Sequence, residues 1–122
     1  MMNPFLQVAI GGAFGSFARY SVGRLVGASG FPVATLIVNV AGSFAMGLLA
    51  AALAHRWGNA YAPLLLTGVL GGFTTFSAFS LDTLTLWEQG QAVAAAGYVA
   101  ASVGLSLAAV VGGLALGRGI FA

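Results

Sequence analysis

Charged residues are so rare in this chain that they divide it into four long uncharged blocks. The four arginines and two acids are Arg19, Arg24, Arg56, Arg118, Asp82 and Glu88. The blocks between them cover residues 1–18, 25–54, 57–81 and 89–117. Each block is near or above the ~20 apolar residues that a helix needs to cross a bilayer. The pattern therefore predicts an integral membrane protein.

The composition excludes a water-soluble surface. The chain of 122 residues is 60% hydrophobic and 5% charged, whereas soluble domains carry about 25% charged residues. It contains no cysteine, so disulfides and thiolate metal sites are excluded. The arginines are scattered near helix ends, where their side chains reach the interface, and no basic cluster indicates binding to nucleic acid.

Proline and glycine positions predict an all-α protein of four transmembrane helices. The expected helices cover residues 4–26, 32–56, 62–88 and 91–118. Pro4, Pro32 and Pro63 fall at helix starts, where the missing N–H costs nothing. Glycine-containing turns separate the helices, and such short loops make successive helices antiparallel neighbours. We expect residues 1–122 to form a single transmembrane domain.

Pairs of small residues four positions apart predict close helix packing. The pairs are Gly11 with Gly15, Gly12 with Ser16, Gly68 with Gly72, and Gly113 with Gly117. In lipid this spacing lets two backbones approach and pack by van der Waals contact. The sequence leaves open whether these contacts lie within one bundle or between subunits. A permeation path favours a dimer, because four helices enclose little internal space.

The balance of arginines predicts a weakly specified orientation in the membrane. With four spans, Arg56 and Arg118 lie on one side, and Arg24 lies on the other, joined by Arg19 if it reaches the interface. Orientation follows the Lys/Arg asymmetry of short loops, and this tally is nearly even. We therefore expect copies to insert in both orientations and to pair as an antiparallel homodimer.

The third predicted helix is interrupted by residues 71–77, Gly-Gly-Phe-Thr-Thr-Phe-Ser. Gly71 and Gly72 favour helix poorly, and the hydroxyls of Thr74, Thr75 and Ser77 compete for backbone hydrogen bonds. Irregular backbone at membrane depth is tolerated only where protein buries it or where it lines a wet cavity. Carbonyl oxygens released at such a break suit Na⁺. The segment therefore predicts an ion site in a broken helix.

Phe76 and Phe79 follow the break on one helix face. An aromatic ring has a negative face and a positive edge, so two aligned edges can hold a small anion weakly. Ordinary helix packing is the alternative for such a pair. The polar surroundings favour the anion role here.

Two helices carry polar stripes at helical spacing. The second has Thr35, Asn39 and Ser43, and the fourth has Tyr98, Ser102 and Ser106. Together they are typical of an ion-lined track, although Ser and Thr can also bond to their own helix carbonyls. Asn39 is the exception, because two donors and an acceptor on its carboxamide need partners.

Two charged side chains lie within the predicted helices. Arg19 either concentrates anions at a pore mouth or holds a helix terminus. Asp82, one turn beyond Phe79, either carries protons or has a structural role near the helix end.

Three segments together resemble the fluoride channel family known as Fluc or CrcB. They are residues 11–20 (GGAFGSFARY), 35–44 (TLIVNVAGSF) and 71–80 (GGFTTFSAFS). Chain length and the four-span layout match as well, so the resemblance covers essentially the whole chain. Asp82 stands where relatives more often carry Glu.

The resemblance implies a fluoride channel, not an enzyme, in the bacterial inner membrane as a multi-pass protein. It implies an antiparallel, dual-topology homodimer in membrane lipid, with two pores for passive fluoride export and a central structural Na⁺. Gly71 and Thr74 resemble the positions whose backbone carbonyls hold the sodium ion, and Arg19 the basic residue of the vestibule. The pore residues implied are Phe76, Phe79, Asn39, Thr35, Ser77, Tyr98, Ser102 and Ser106.

Two other functions fit parts of the sequence. A small four-span proton-coupled multidrug exporter needs a titratable carboxylate at its substrate site, and only Asp82 is available within the membrane. A non-transporting scaffold subunit fits the many glycines, but it leaves Asn39 and the interruption at residues 71–77 without a purpose.

Overall fold

The chain folds entirely into helices joined by short turns. A computed structural model of the protein describes residues 2–122, and no strand occurs within that range. Helix α1 is Pro4–Val26, and α2 is Val33–Ala52, which continues as a π-helical turn, Leu53–Trp57. A π-helical segment, Pro63–Leu70, leads into the short α3, Gly71–Phe73, and then α4, Phe76–Glu88. The last helix, α5, is Ala92–Phe121.

The helices begin and end close to the predicted positions. The Asn3 side chain accepts a hydrogen bond from the Phe5 N–H at 2.7 Å, and Pro4 follows directly, so α1 starts with its free donors satisfied. Each predicted turn contains a glycine with positive φ: Gly27, Gly58 and Gly90. The last helix extends to Phe121 instead of Arg118, and the Arg56 Nε donates to the Phe121 carbonyl at 2.9 Å.

Three stretches are long and apolar enough to cross a membrane. They are the second, third and last of the four stretches that the sequence predicts, with α1 as the first: Val33–Trp57, Pro63–Glu88 and Ala92–Phe121. Helix α1 has 23 residues, but its polar side chains, including Gln7, Arg19 and Arg24, lower its hydropathy. Large apolar side chains such as Phe5, Leu25 and Val93 are almost fully exposed. Such a surface needs lipid or another protein subunit to cover it.

Helix packing divides the molecule into two pairs. Helix α1 lies against Pro63–Leu70 and α3, while α2 lies against α5. Beyond the break the chain changes partner, because α4 packs on α5. The third stretch therefore begins in one pair and ends against the other.

Glycines let the paired backbones touch. A Cβ added to Gly15 would overlap the Val69 carbonyl, and one added to Gly113 would overlap the Phe44 carbonyl. Gly11 and Gly68 meet in the same α1 interface. The pairs in the first, third and last apolar stretches thus make close contacts within one chain, which answers the question that the sequence left open for them.

A buried glutamine joins α1 to the start of the third stretch. Gln7 is 1% exposed. Its Nε2 donates to the Ala60 carbonyl at 3.1 Å and to the Met2 carbonyl at 3.0 Å, and its Oε1 accepts from the Leu64 N–H at 3.2 Å. The side chain thereby satisfies a backbone donor next to Pro63.

We predict that Gly15→Ala lowers the free energy of unfolding by about 1–3 kcal/mol, because the new methyl group meets a backbone carbonyl that cannot move aside easily. Gly23→Ala is the matched control, since a Cβ there has no neighbour within 4 Å. The control should be neutral or stabilising by up to about 1 kcal/mol through helix propensity. Unfolding by denaturing detergent, followed by circular dichroism, measures both. Equal effects would contradict the close α1 packing.

Candidate functional site

The site is centred on two extended residues between α3 and α4. Helix α3 ends at Phe73, and Thr74 has φ −89° and ψ 160°. Thr75 has φ −153° and ψ 126°, and α4 begins at Phe76. Both residues therefore have strand-like backbone angles in the middle of an apolar stretch, where their polar groups need partners.

Asn39 on α2 pairs with the backbone of Thr75. Its Nδ2 donates to the Thr75 carbonyl at 2.9 Å, and its Oδ1 accepts from the Thr75 N–H at 2.8 Å. The carboxamide thus bonds both backbone groups of one residue, as a neighbouring strand would. A buried peptide group without partners costs on the order of 1–3 kcal/mol, so this pairing stabilises the extended segment.

The two threonine hydroxyls bond to backbone on opposite sides of the break. Thr75 Oγ1 accepts from the Ala78 N–H at 3.2 Å and caps α4. Thr74 Oγ1 donates to the Leu70 carbonyl at 2.9 Å, and the Thr74 N–H donates to the same carbonyl at 3.0 Å. Thr74 therefore bonds back to the end of the segment before the break, and Thr75 caps the start of the helix after it.

These bonds release two carbonyl oxygens. In a continuous helix the Thr75 N–H would bond to the Gly71 carbonyl, and the Ala78 N–H to the Thr74 carbonyl. Here the two donors bond to Asn39 Oδ1 and Thr75 Oγ1 instead. The released carbonyls belong to the residues that the sequence predicts as sodium ligands. They are uncharged, hard oxygen donors, so the residues present fit Na⁺.

Arg19 lies beside the same break. Its Nε donates to the Gly72 carbonyl at 3.0 Å, so the guanidinium satisfies a further carbonyl at the end of α3. Arg19 also lines a cavity of about 360 Å³ together with Arg24, Thr35 and Thr75. The sequence left two roles open for Arg19. The bond to Gly72 shows that the side chain holds a helix terminus. Its place beside Arg24 in the cavity is compatible with a role at a pore mouth, which stays a prediction.

A groove of about 410 Å³ runs along α2, α5 and the break. We call it the polar groove, and its lining combines hydroxyls, an amide, two phenyl rings and apolar side chains. The polar and aromatic members are Asn39, Ser43, Thr74, Thr75, Phe76, Phe79, Ser102 and Ser106. The groove is therefore lined by weak hydrogen-bond donors and by two aromatic rings.

The aromatic side chains form a ladder at one side of the groove. The ring centroids of Phe76 and Phe79 lie 5.5 Å apart at 55°, and those of Phe79 and Tyr98 lie 5.2 Å apart at 46°. Phe76 is 77% exposed, whereas Tyr98 is fully buried. The Tyr98 hydroxyl donates to Asp82 Oδ2 at 3.1 Å. Tyr98 thus supports Phe79 from behind and does not line the groove.

Ser102 has a buried hydroxyl without a hydrogen-bond partner in the part of the chain that the structure describes. The residue is 6% exposed and lines the polar groove. Most buried polar groups in native proteins are satisfied. The Ser102 hydroxyl is therefore an unsatisfied polar group, shielded from solvent, beside the groove.

A sequence profile described as "CrcB-like protein, Camphor Resistance (CrcB)" matches residues 6–114. The chain belongs to the CrcB family. Its long apolar helices and its membership of this family make it a multi-pass protein of the bacterial inner membrane.

Several curated relatives of this CrcB chain carry the same name. A protein named "Fluoride-specific ion channel FluC" from Paracoccus denitrificans is 65% identical, with the whole of both chains aligned. Proteins of the same name from Cereibacter sphaeroides and Rhizobium etli are 62% and 55% identical, and each alignment covers 98% of this chain. Those alignments cover 98% and 99% of the relatives' own chains. These relatives are named as ion channels, not as enzymes.

The CrcB fold brings together most of the predicted pore residues and separates three. Five of them share the polar groove: Asn39, Phe76, Phe79, Ser102 and Ser106. Thr35, one turn before Asn39, instead lines two other cavities, one with Arg19 and one with Asp82. Ser77 is exposed, with its hydroxyl 3.4 Å from that of Thr75. Tyr98 lies behind the aromatic ladder. The pore roles of these residues stay predictions.

Sequence reasoning missed two residues that organise this CrcB chain. Thr75 was noted only as one hydroxyl among several, although it is the residue that Asn39 holds and that caps α4. Gln7 was not singled out. A polar amide in an apolar first turn was the available signal for Gln7, because such a group needs partners in lipid.

We predict that Ser102→Ala raises the free energy of unfolding by roughly 1 kcal/mol, because the substitution removes an unpaired buried hydroxyl. Ser21→Ala is the control. Its hydroxyl is exposed and bonds to the Phe17 carbonyl of its own helix at 2.8 Å, so the change should be close to zero. Detergent unfolding of the fluoride-free protein measures both values. A loss of stability in Ser102→Ala would show that the hydroxyl has a partner.

Proposed function

We propose that this chain is a fluoride channel that exports cytoplasmic fluoride passively as a homodimer. The polar groove is the observation that carries the proposal, because it places the Asn39 amide, two serine hydroxyls and the Phe76–Phe79 pair along one path. The name shared by the relatives supports fluoride as the ion.

The groove suits a small, strongly hydrated anion. Removing such an ion from water is costly, so a pore must replace its hydration shell with donors that bind weakly enough to let it leave. One Nδ2 hydrogen of Asn39 is used on Thr75, and the second is available to the groove. The hydroxyls of Ser102 and Ser106 continue the set of donors, and ring edges add positive electrostatic potential without a full charge.

The proposed sodium site lies at the break. The carbonyls of Gly71 and Thr74 would hold Na⁺, two from each copy of the chain at the centre of the dimer. When bound, the ion supplies positive charge at membrane depth, where an isolated anion is otherwise costly. The diversion of the Thr75 and Ala78 N–H groups supports this assignment, since both carbonyls lose their helical donors.

The proposed assembly is an antiparallel, dual-topology homodimer of one channel domain, residues 1–122, with four spans that include α1. Nearly balanced arginines support insertion in both orientations. The exposed Phe76 ring supports a second subunit, because a pore wall cannot face lipid. Two copies would enclose two pores.

A proton-coupled multidrug exporter remains the alternative function. It would use Asp82, whose carboxylate accepts a hydrogen bond from the Tyr98 hydroxyl. Helix α1 offers no carboxylate at all. The polar groove, in contrast, has no titratable carboxylate in its lining, which favours a channel.

We predict rapid fluoride efflux from liposomes that contain the protein, with efflux abolished by Phe76→Ile or Phe79→Ile. Isoleucine removes the positive ring edge and keeps an apolar side chain. Phe5→Ile is the control, because Phe5 is 87% exposed at the start of α1 and far along the chain from the groove. A fluoride electrode follows the external concentration in each case.

The same liposomes separate the two functions. A channel keeps its fluoride flux when no proton gradient is present, and Asp82→Asn leaves that flux uncoupled from pH. A flux that follows an imposed pH gradient and disappears in Asp82→Asn would favour the exporter. Well-folded protein without any fluoride flux would remove the channel proposal.

We predict that two lysines added after Ala122 fix one orientation and abolish fluoride export when that variant is expressed alone. The added charges retain the C-terminus in the cytoplasm, so antiparallel pairs no longer form. Co-expression with a variant fixed the other way, Ala28→Lys with Ser29→Lys in the first loop, should restore export. Fluoride sensitivity of a host strain without its own exporter is the measurement. Full export by either variant alone would contradict dual topology.

A further inference from the structure

We propose that Asn39 and Thr75 are positioning residues for the cation site. Asn39 releases the Gly71 carbonyl as a ligand, and Thr75 releases the Thr74 carbonyl. The inference rests on the sodium site of the proposed function. It adds that the ligands are backbone atoms whose availability depends on two side chains that do not themselves bind the cation.

Asn39 controls the first carbonyl. The Thr75 N–H is the only backbone donor placed by the helix repeat to bond to Gly71, and Asn39 Oδ1 holds that donor at 2.8 Å. The Asn39 Nδ2 holds the Thr75 carbonyl at 2.9 Å, so the amide fixes the peptide groups on both sides of the Thr75 Cα. Without this pair of bonds, the Thr75 N–H is free to return to Gly71 and extend α3.

Thr75 controls the second carbonyl. Its hydroxyl accepts the Ala78 N–H at 3.2 Å, and this is the donor that a continuous helix would give to Thr74. A hydroxyl at this position both caps α4 and keeps the Thr74 carbonyl free. The methyl group of Thr75 takes no part in either bond.

Two substitutions separate these roles from steric effects. Asn39→Leu keeps a side chain of similar volume and removes both hydrogen bonds to Thr75 without adding a charge near the cation. Thr75→Val keeps the shape of the side chain and removes the acceptor for Ala78. Thr75→Ser is the matched control, because it keeps the hydroxyl and loses only the methyl group. Ser43→Ala is a second control that alters the polar groove without touching the break.

The test measures sodium affinity without transport. Purified protein is titrated with NaCl at constant ionic strength against N-methylglucamine chloride, and the thermal unfolding midpoint is recorded in the absence of fluoride. Bound ligand stabilises the folded state by mass action, so the rise of the midpoint with NaCl concentration gives the apparent Kd, which is the half-saturating Na⁺ concentration. We expect Asn39→Leu and Thr75→Val to raise that concentration by at least about tenfold, a typical size for coupling between sites. Thr75→Ser and Ser43→Ala should stay within about twofold of the unaltered protein.

Hydrogen exchange provides a second readout. The Ala78 amide should exchange faster in Thr75→Val than in Thr75→Ser, because only serine keeps the cap. If Asn39→Leu fails to fold, as judged by circular dichroism at saturating Na⁺, the valine and serine pair decides the question alone.

Two failures have different meanings. An unaltered protein whose midpoint does not respond to Na⁺ overturns the sodium site itself. A protein that responds to Na⁺, with the same half-saturating concentration in Thr75→Val and Thr75→Ser, overturns the positioning inference and leaves the sodium site in place.

Discussion

The pairing of the Asn39 carboxamide with both backbone groups of Thr75 is the interaction on which the rest of the site depends. Lipid offers no hydrogen bonds to an open backbone, so a helix can stop in the bilayer only where protein supplies partners. Asn39 supplies them for Thr75, and the Thr75 hydroxyl supplies one for α4. Free carbonyls, a change of helix direction and a polar wall all follow from that replacement of backbone partners.

The break also joins the two halves of the fold. Helix α1 with Pro63–Leu70 forms one pair, and α2 with α5 forms the other. Gly42 on α2 lies directly against the Thr74 side chain, so the extended residues sit where the pairs meet. Because α4 then continues along α5, the Phe76 and Phe79 rings come to face the serines of the last helix. In a continuous third helix the two phenyl rings would not face those serines.

Much of the fold could be predicted, because helix ends depend on local chemistry. Prolines at helix starts and glycines in turns predicted bounds that lie within a few residues of those observed. The groove was predictable in part, since the spacing of Asn39, Ser102 and Ser106 put each on one face of its helix. Periodicity does not show which neighbouring group a side chain contacts. Tyr98 has the right spacing for the groove but bonds to Asp82, and Thr35 lines two other cavities one turn before Asn39.

The hydrogen bonds at the break could not be predicted from the sequence for the same reason. Glycines and hydroxyls at residues 71–77 indicate an interruption, but the partner of each donor depends on a helix more than thirty residues away in sequence, as for Asn39 and Thr75. Gln7 illustrates this further, because its bonds reach Ala60 and Leu64. Such long-range polar pairs carry no local signature. Whether a second copy completes the groove is likewise a question of assembly that one chain's periodicity does not answer.

The weak hydropathy of α1 has a consequence for how the protein is made. Helix α1 is synthesised before the other three stretches, yet it is not among those apolar enough to cross a membrane by themselves. It packs on Pro63–Leu70, and Gln7 bonds to Ala60 and Leu64, and these residues are synthesised later. The contacts of α1 therefore form only after a segment about fifty residues downstream has been made. During that interval no strongly anchored α1 favours one orientation, which agrees with the dual topology proposed above.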